Sequence, residues 1–351
     1  MKKLTVLVTS LVLSLSMLTG CGGSAATSSA ASASASAPAS SEASSEAPAP
    51  SQTASGEKVK IGLVQIVEHT SLNQIRESFM EEMKALGYGD DTAEIEYANA
   101  SGDQSNLNSI CQKFAGDEKD LIVAIATPSA QAAAAAAPNI PLVFSAVTDP
   151  VAAKLVTDPN APSGIITGTS DAIPVDQVFT LMKQLTPDVK TVGMIYNLGE
   201  VNSVSVIEQA KKYCDENGIN YVEATVTNSS EVQQAAQSLV GKCEAFYTPI
   251  DNTVASAMAA YAEVAKQAKL PIYTGADSMV IDGGFATVGI DYTLLGKQTA
   301  QMAAKILEGT PVKDVPVETL SDFSTIINQT TADAIGVTIP EDLASSAQIV
   351  K

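Results

Sequence analysis

The sequence predicts an α/β protein of two doubly wound, Rossmann-like lobes with parallel sheets, set behind a polar N-terminal tether. Three observations lead there. At 351 residues the chain exceeds what one hydrophobic core usually organises. From Lys58 onward, short apolar runs alternate with longer amphipathic ones, the rhythm of βαβ units covered on both faces. That rhythm is then played a second time.

Taken in order, residues 1–20 read as an export signal. Lys2 and Lys3 precede an apolar run, Leu4 to Leu18, shorter than the roughly 20 residues of a membrane span. Leu18-Thr-Gly-Cys21 closes it and resembles a bacterial lipobox, which implies cleavage before Cys21 and lipidation of its sulfur. Residues 21–57 are almost entirely Ser, Ala, Gly, Pro and Thr. Such a stretch cannot offset its own ordering entropy, so it is expected to be a flexible leash with a reach on the order of 30 Å.

Lys60–Ile66 then reads as a strand, and Leu72, Ile75, Phe79, Met83 and Leu86 follow at helical spacing up to Gly87. Strand-like runs recur at Ala93–Tyr97, Asp120–Ala126 and Ile140–Phe144. The second half repeats this. Val59-Lys-Ile-Gly-Leu-Val64 matches Thr191-Val-Gly-Met-Ile-Tyr196, with Gly62 and Gly193 separated by 131 positions. Asp120–Pro128 resembles Cys243–Pro249, and Pro141 and Pro271 are separated by 130. Two lobes of one design follow, and a cleft is expected where their sheet edges face each other.

In doubly wound sheets, ligand-facing residues lie just past the carboxyl ends of the strands. Here those positions hold Glu68, Thr127, Ser129, Ala146, Thr148 and Asp149 in the first lobe. In the second they hold Asn197, Asn202, Ser203, Asp251, Asn252 and Asp277, with Asp291 beyond. Thr127 and Ser129 stand before an alanine run and are N-cap candidates, where free backbone N–H groups favour an anion. Thr148 could donate to the same anion, and the Ala146 carbonyl could accept from an ammonium. Arg76 is the only arginine and sits within the first helix, so the guanidinium fork usual for phosphate or dicarboxylates is missing from the cleft. Neutral donors beside carboxylates suit an α-amino acid. Sugar is the competing class, with Tyr196, Tyr247, Tyr273 and Phe144 as candidate platforms, although their place in strands favours core packing.

Composition excludes other chemistry. Acidic residues outnumber basic ones 39 to 20, a net charge of −19, which leaves no basic footprint for nucleic acid. His69 is the sole histidine, no cofactor motif follows a strand, and no metal-ligand spacing is present. Ser170 in Gly168-Thr-Ser-Asp171 would need His69 as its base to act as a nucleophile. Cys111, Cys214 and Cys243 read as buried thiols, with a Cys214–Cys243 disulfide as the alternative.

Several motifs together carry a family resemblance: Val64–His69, Gly102–Asn108, Val123–Gln131, Ala146–Pro150, Gly168–Asp171, Asp251–Ser256 and Gly289–Tyr292. The chain resembles the substrate-binding lipoproteins of tryptophan/tyrosine-type ABC importers. That resemblance implies a type I periplasmic-binding-protein fold whose lobes are joined by three hinge crossovers, near 168–171, 289–291 and 320–324. It implies lobe one at 58–168 plus 290–320 and lobe two at 169–289 plus 321–345. Ser129 and Ala146-Val-Thr148 would hold the ligand's α-groups, and Asp277, with Asp251 second, would take its ammonium. The expected function is non-enzymatic capture of an amino acid with an aromatic side chain (Trp, Tyr or Phe). The expected partner is an ABC permease with its ATPase, met by a monomer anchored outside the cytoplasm through Cys21. No cofactor is implied. A sugar- or nucleoside-binding protein, a ligand-sensing receptor module and a hydrolase are the alternatives.

Overall fold

The computed structural model describes residues 57–351; the expected export signal, Cys21 and the tether up to residue 56 lie outside the described residues. The chain opens with β1 (Val59–Gln65), α1 (Thr70–Ala85), β2 (Ala93–Asn99), α2 (Gln104–Gly116), β3 (Leu121–Ile125), α3 (Thr127–Ala136), β4 (Leu142–Ser145) and β5 (Ile166–Ser170). It continues through α4 (Val175–Leu185), β6 (Thr191–Asn197), α5 (Val201–Asn217), β7 (Asn220–Val226), α6 (Val232–Leu239), β8 (Ala245–Thr248), α7 (Asn252–Ala255), α8 (Met258–Ala268), β9 (Ile272–Thr274), α9 (Asp277–Ile281) and β10 (Ala286–Gly289). Then come α10 (Tyr292–Leu307), β11 (Glu318–Thr319), β12 (Ser324–Asn328), α11 (Gln329–Ile335), α12 (Glu341–Ser346) and β13 (Gln348–Val350).

Two sheets result, in the orders β2-β1-β3-β4-β5-β11 and β7-β6-β8-β9-β10-β12-β13. All pairings are parallel except β10 with β12. The first five strands of each half take the same order, so the repeat read from the sequence is a repeat in space. Its marker glycines explain themselves. A Cβ on Gly62 would stand 2.5 Å from the ring of Phe114 on α2, and one on Gly193 2.8 Å from Cys243 Sγ and 3.2 Å from Leu239 on α6. In both lobes the bare backbone lets a helix side chain settle onto the sheet.

The central strands are buried on both faces, hence their continuous apolar runs. Tyr247, Tyr273 and Phe144 are fully buried and Tyr196 nearly so, all as packing groups. Cys111, Cys214 and Cys243 are buried free thiols, and Cys214 and Cys243 belong to separate apolar clusters, so the disulfide alternative is not realised. Polypeptide passes between the sheets three times: between β5 and α4, between β10 and α10, and between β11 and β12. α10 returns to the first lobe, where Leu295, Met302 and Ala303 are buried and the helix lies along α1.

Candidate functional site

The helices that follow the strands begin at the carboxyl edges of the two sheets, and those edges meet. Side chains from both lobes bond directly across the gap. The Ser71 and Ser278 hydroxyls hydrogen-bond to each other, His69 Nε2 lies 3.2 Å from Asn252 Oδ1, and Ser205 donates to Asp149 at 2.6 Å. Thr70 donates to Asp282 at the rim, at 3.3 Å. Between these contacts lies a narrow cavity of about 10 Å³, room for about one water molecule, so that a larger guest fits only as the lobes part.

Its walls are mixed. Leu72, Ile250, Ala255, Ala276 and Met279 supply apolar surface, while His69, Ser71, Thr148, Asp171, Asn202, Asp251, Asn252, Ser278 and Tyr292 supply polar groups. Ser71 lies in the first turn of α1 and Ser278 in that of α9, where backbone N–H groups lack intrahelical acceptors. Two helix starts, one from each lobe, therefore face each other with hydroxyls between them.

Asp171 sits on the first crossover and is 1% exposed. Its carboxylate accepts from Thr148 Oγ1 at 2.8 Å and from Tyr292 Oη at 3.4 Å, and none of its partners is a cation. Burial pushes its carboxyl up to about 6, against the pull of the Thr148, backbone and Tyr292 donors. Tyr292 in turn faces Ser71 and Asp277. A buried carboxylate held only by neutral donors is costly, and an arriving ammonium offsets that cost.

Of the residues singled out from sequence, Ala146, Thr148, Asn202, Asp251 and Asn252 line the cavity. Their roles differ from expectation. Thr148 spends its hydroxyl on Asp171, so it is not left to donate to an anion. Asp251 accepts from Asn197 N at 2.7 Å and Val254 N at 2.8 Å, capping α7 and tying it to β6. Its own burial, with the Glu200 charge beside it, raises its pKa. Ser203 is buried beneath Ile250, outside the lining. Asp277 starts α9 between the lining residues Ala276 and Ser278 without itself lining the cavity; burial moves it up to about 6.

Others lie elsewhere. Glu68 is exposed and pairs with Arg76, which also stacks on Tyr97. Asp291 caps α10 through Thr293 N and Leu294 N, and Asp149 caps the following turn while bonding Ser205. Asn197 lines a second, more open groove of about 630 Å³ that Asn252 also reaches. Thr127 and Ser129 do not cap α3. The helix starts at Thr127 directly from the strand, with Ala126 turning at φ 77°, and both hydroxyls are buried without a partner. Ala146, at the end of β4, has φ 55°. Two alanines in a left-handed conformation at adjacent strand ends are local strain held by the sheet, as is common beside functional sites. Ser170 donates to the Thr148 carbonyl and makes no contact with His69, so no nucleophile–base pair forms.

The sequence reading missed Ser71, Asp171, Ser278 and Tyr292 as lining residues, and gave His69, at the end of the ligand-facing stretch 65–69, no binding role. Asp171 and Tyr292 carried one signal, their place in motifs flanking two crossovers. Ser71 and Ser278 carried none, being 207 positions apart.

Comparison with known proteins fits this arrangement. The chain is 41% identical over 338 residues to a tyrosine-binding protein of Clostridioides difficile, covering 95% of this chain and 92% of the relative. A Streptococcus pneumoniae ABC domain in complex with L-Trp superposes with TM-score 0.81 at 37% identity, covering 84% of this chain and all of that one. A ligand-free, open substrate-binding protein with adhesive properties from Clostridium difficile gives TM-score 0.64 at 41% identity, over 84% of this chain and 99% of that one. The lobes here are thus set more like the L-Trp complex than like the open structure. The profile of the family described as ABC transporter substrate binding protein matches residues 60–351. With two parallel-sheet lobes, three crossovers and a cavity walled from both sides, the chain belongs to that family of substrate-binding proteins.

Proposed function

We propose that this chain captures an amino acid with an aromatic side chain between its lobes and delivers it to an ABC permease and its ATPase, without chemical turnover. The observation that carries the reading is Asp171, a buried carboxylate with neutral partners only, on the wall of an interlobe cavity. Asp171 takes the ligand's ammonium. The Ser71 and Ser278 hydroxyls, with the first-turn amides of α1 and α9, take its carboxylate, exchanging their mutual bond for two to the ligand. Leu72, Ile250, Ala255 and Met279 then accept a flat apolar side chain, the Met279 sulfur suiting an aromatic edge. The tyrosine-binding relative and the L-Trp complex support this class over sugars.

Capture works by closure: contacts to both lobes exist together only when the lobes meet, so ligand shifts the population toward the closed form. Ser205→Ala, which cuts the bond to Asp149 without touching the cavity, should weaken affinity roughly two- to tenfold, mostly through faster release. Stopped-flow release rates check this. We further propose that residues 1–20 direct export and that Cys21 carries the lipid that tethers a monomer outside the cytoplasm. Metabolic labelling with a fatty-acid analogue, compared between the chain and Cys21→Ser, tests the anchor.

The pKa of Asp171 makes binding pH-dependent. Its folded value, about 6, lies above the ordinary 3.8. Its contribution to stability is therefore fully present below pH 3.8 and lost as pH rises through about 6. An ammonium needs the ionised form, so affinity should rise with pH up to about 6 and fall about tenfold per unit below it. Titration calorimetry from pH 4.5 to 7.5, in buffers of differing ionisation enthalpy, should show proton release on binding near pH 5. A flat profile would point away from Asp171. The central test is calorimetric binding of the twenty amino acids alongside sugars and nucleosides; sugar binding without amino-acid binding would overturn the reading.

A further inference from the structure

One wall of the cavity carries an excess of hydrogen-bond acceptors. Asn202 is 2% exposed. Its Nδ2 donates to the Ile250 carbonyl at 2.8 Å and lies 3.3 Å from Glu200 Oε2. Both of those neighbours only accept, which fixes the amide orientation and aims Oδ1 the other way. That Oδ1 is buried and has no partner. Asn252 is fixed in the same manner: its Nδ2 donates to Glu200 Oε2 at 2.6 Å, so its Oδ1 is an acceptor.

His69 completes the set. Its Nε2 lies 3.2 Å from Asn252 Oδ1 and must carry the proton there. Burial keeps the ring neutral, outweighing the Asn252 bond and the Glu200 charge that favour protonation. A neutral ring with Nε2–H leaves Nδ1 as a bare acceptor, and Nδ1 too is buried without a partner. The two residues that carry these unfilled acceptors, His69 from the first lobe and Asn202 from the second, thus line one cavity and share one network through Glu200 and Asn252. Unpaired buried acceptors are costly, and the group that relieves them is a donor.

We infer that His69 and Asn202 form a selectivity station that reads an N–H or O–H on the ligand's aromatic ring, so that the cavity favours tyrosine and tryptophan over phenylalanine. The inference rests on the amino-acid reading above and deepens it. An apolar wall alone cannot separate these side chains sharply, whereas a buried polar site rejects an analogue lacking its hydrogen-bonding group, because its own atoms then stay unpaired.

The test uses ligands before variants. Titration calorimetry on the unmodified chain compares tyrosine, O-methyltyrosine and phenylalanine, then tryptophan and 1-methyltryptophan. The expected result is tighter binding of each donor-bearing parent by about tenfold or more over its donor-free analogue. Asn202→Leu and His69→Phe should each lower tyrosine and tryptophan affinity by a larger factor than phenylalanine affinity, the ratio being the readout because His69→Phe also cuts the cross-lobe bond to Asn252, with thermal unfolding reporting that the variants fold. Equal binding of tyrosine and phenylalanine by the unmodified chain overturns the station and leaves the amino-acid reading intact. Absence of binding by every aromatic amino acid overturns both.

Discussion

Asp171→Asn should reduce amino-acid affinity by at least a hundredfold while the protein stays folded. The substitution preserves shape and leaves Oδ1 to accept from Thr148, but removes the charge that an ammonium needs. Breaking a buried, hydrogen-bonded charge pair by deleting one partner costs about 3–5 kcal/mol, a loss of roughly a hundred- to a few-thousandfold. The stability change should have the opposite sign. Because burial raises the Asp171 pKa to about 6, the ionised group opposes folding near pH 7, and the amide relieves that cost. A raised thermal midpoint with lost binding is the signature of a residue held for ligand. Unchanged affinity would move the ammonium site to Asp277 or Asp251. Asp277→Asn and Asp251→Asn are the parallel measurements, and Asp251→Asn should lower stability because that carboxylate caps α7 and holds β6.

Gly296→Ala should carry a large stability cost in the first lobe. Gly296 lies where α10 crosses α1, and a Cβ there would stand 2.5 Å from the Ile75 carbonyl oxygen and collide with Ser78 Oγ. Ile75 is backbone of a packed helix, so relief requires the helices to separate along a contact that also orders the start of α1, where Ser71 sits. Overpacking of this kind costs about 1–3 kcal/mol, and a β-branched residue more. The unfolding midpoint should fall by several degrees for Gly296→Ala, and Gly296→Val should fail to accumulate as folded protein. Gly116→Ala is the control, since nothing lies within 4 Å of a Cβ there. It should leave stability unchanged or raise it by up to about 1 kcal/mol, Gly116 being the last helical residue of α2. Equal effects at the two glycines would show that the α1–α10 crossing is loose.

Much was legible in the sequence because it is written in local rules. Apolar runs bounded by turns gave the strands, 3.6-residue spacing gave α1 and α10, and the doubling of both gave two like lobes, with Gly62 and Gly193 marking one packing event twice. The cleft edge followed from the strand ends. Acidic residues at those ends, however, look alike in sequence. Asp251 and Asp291 both cap helices, Glu68 pairs at the surface, and Asp171 alone among the cavity carboxylates keeps only side-chain hydroxyls as partners besides its own backbone.

The sequence by itself therefore determined the architecture, the placement of the cleft and the absence of an arginine fork. Only the tertiary structure decided which polar atoms remain unspent: Asp171 rather than Asp277 on the wall, Ser71 against Ser278, and His69 and Asn202 as bare acceptors. The reason is physical. Backbone conformation answers to neighbours a few residues away. Whether a side chain's charge or lone pair is already satisfied depends on partners brought in by sheet topology from one or two hundred positions off.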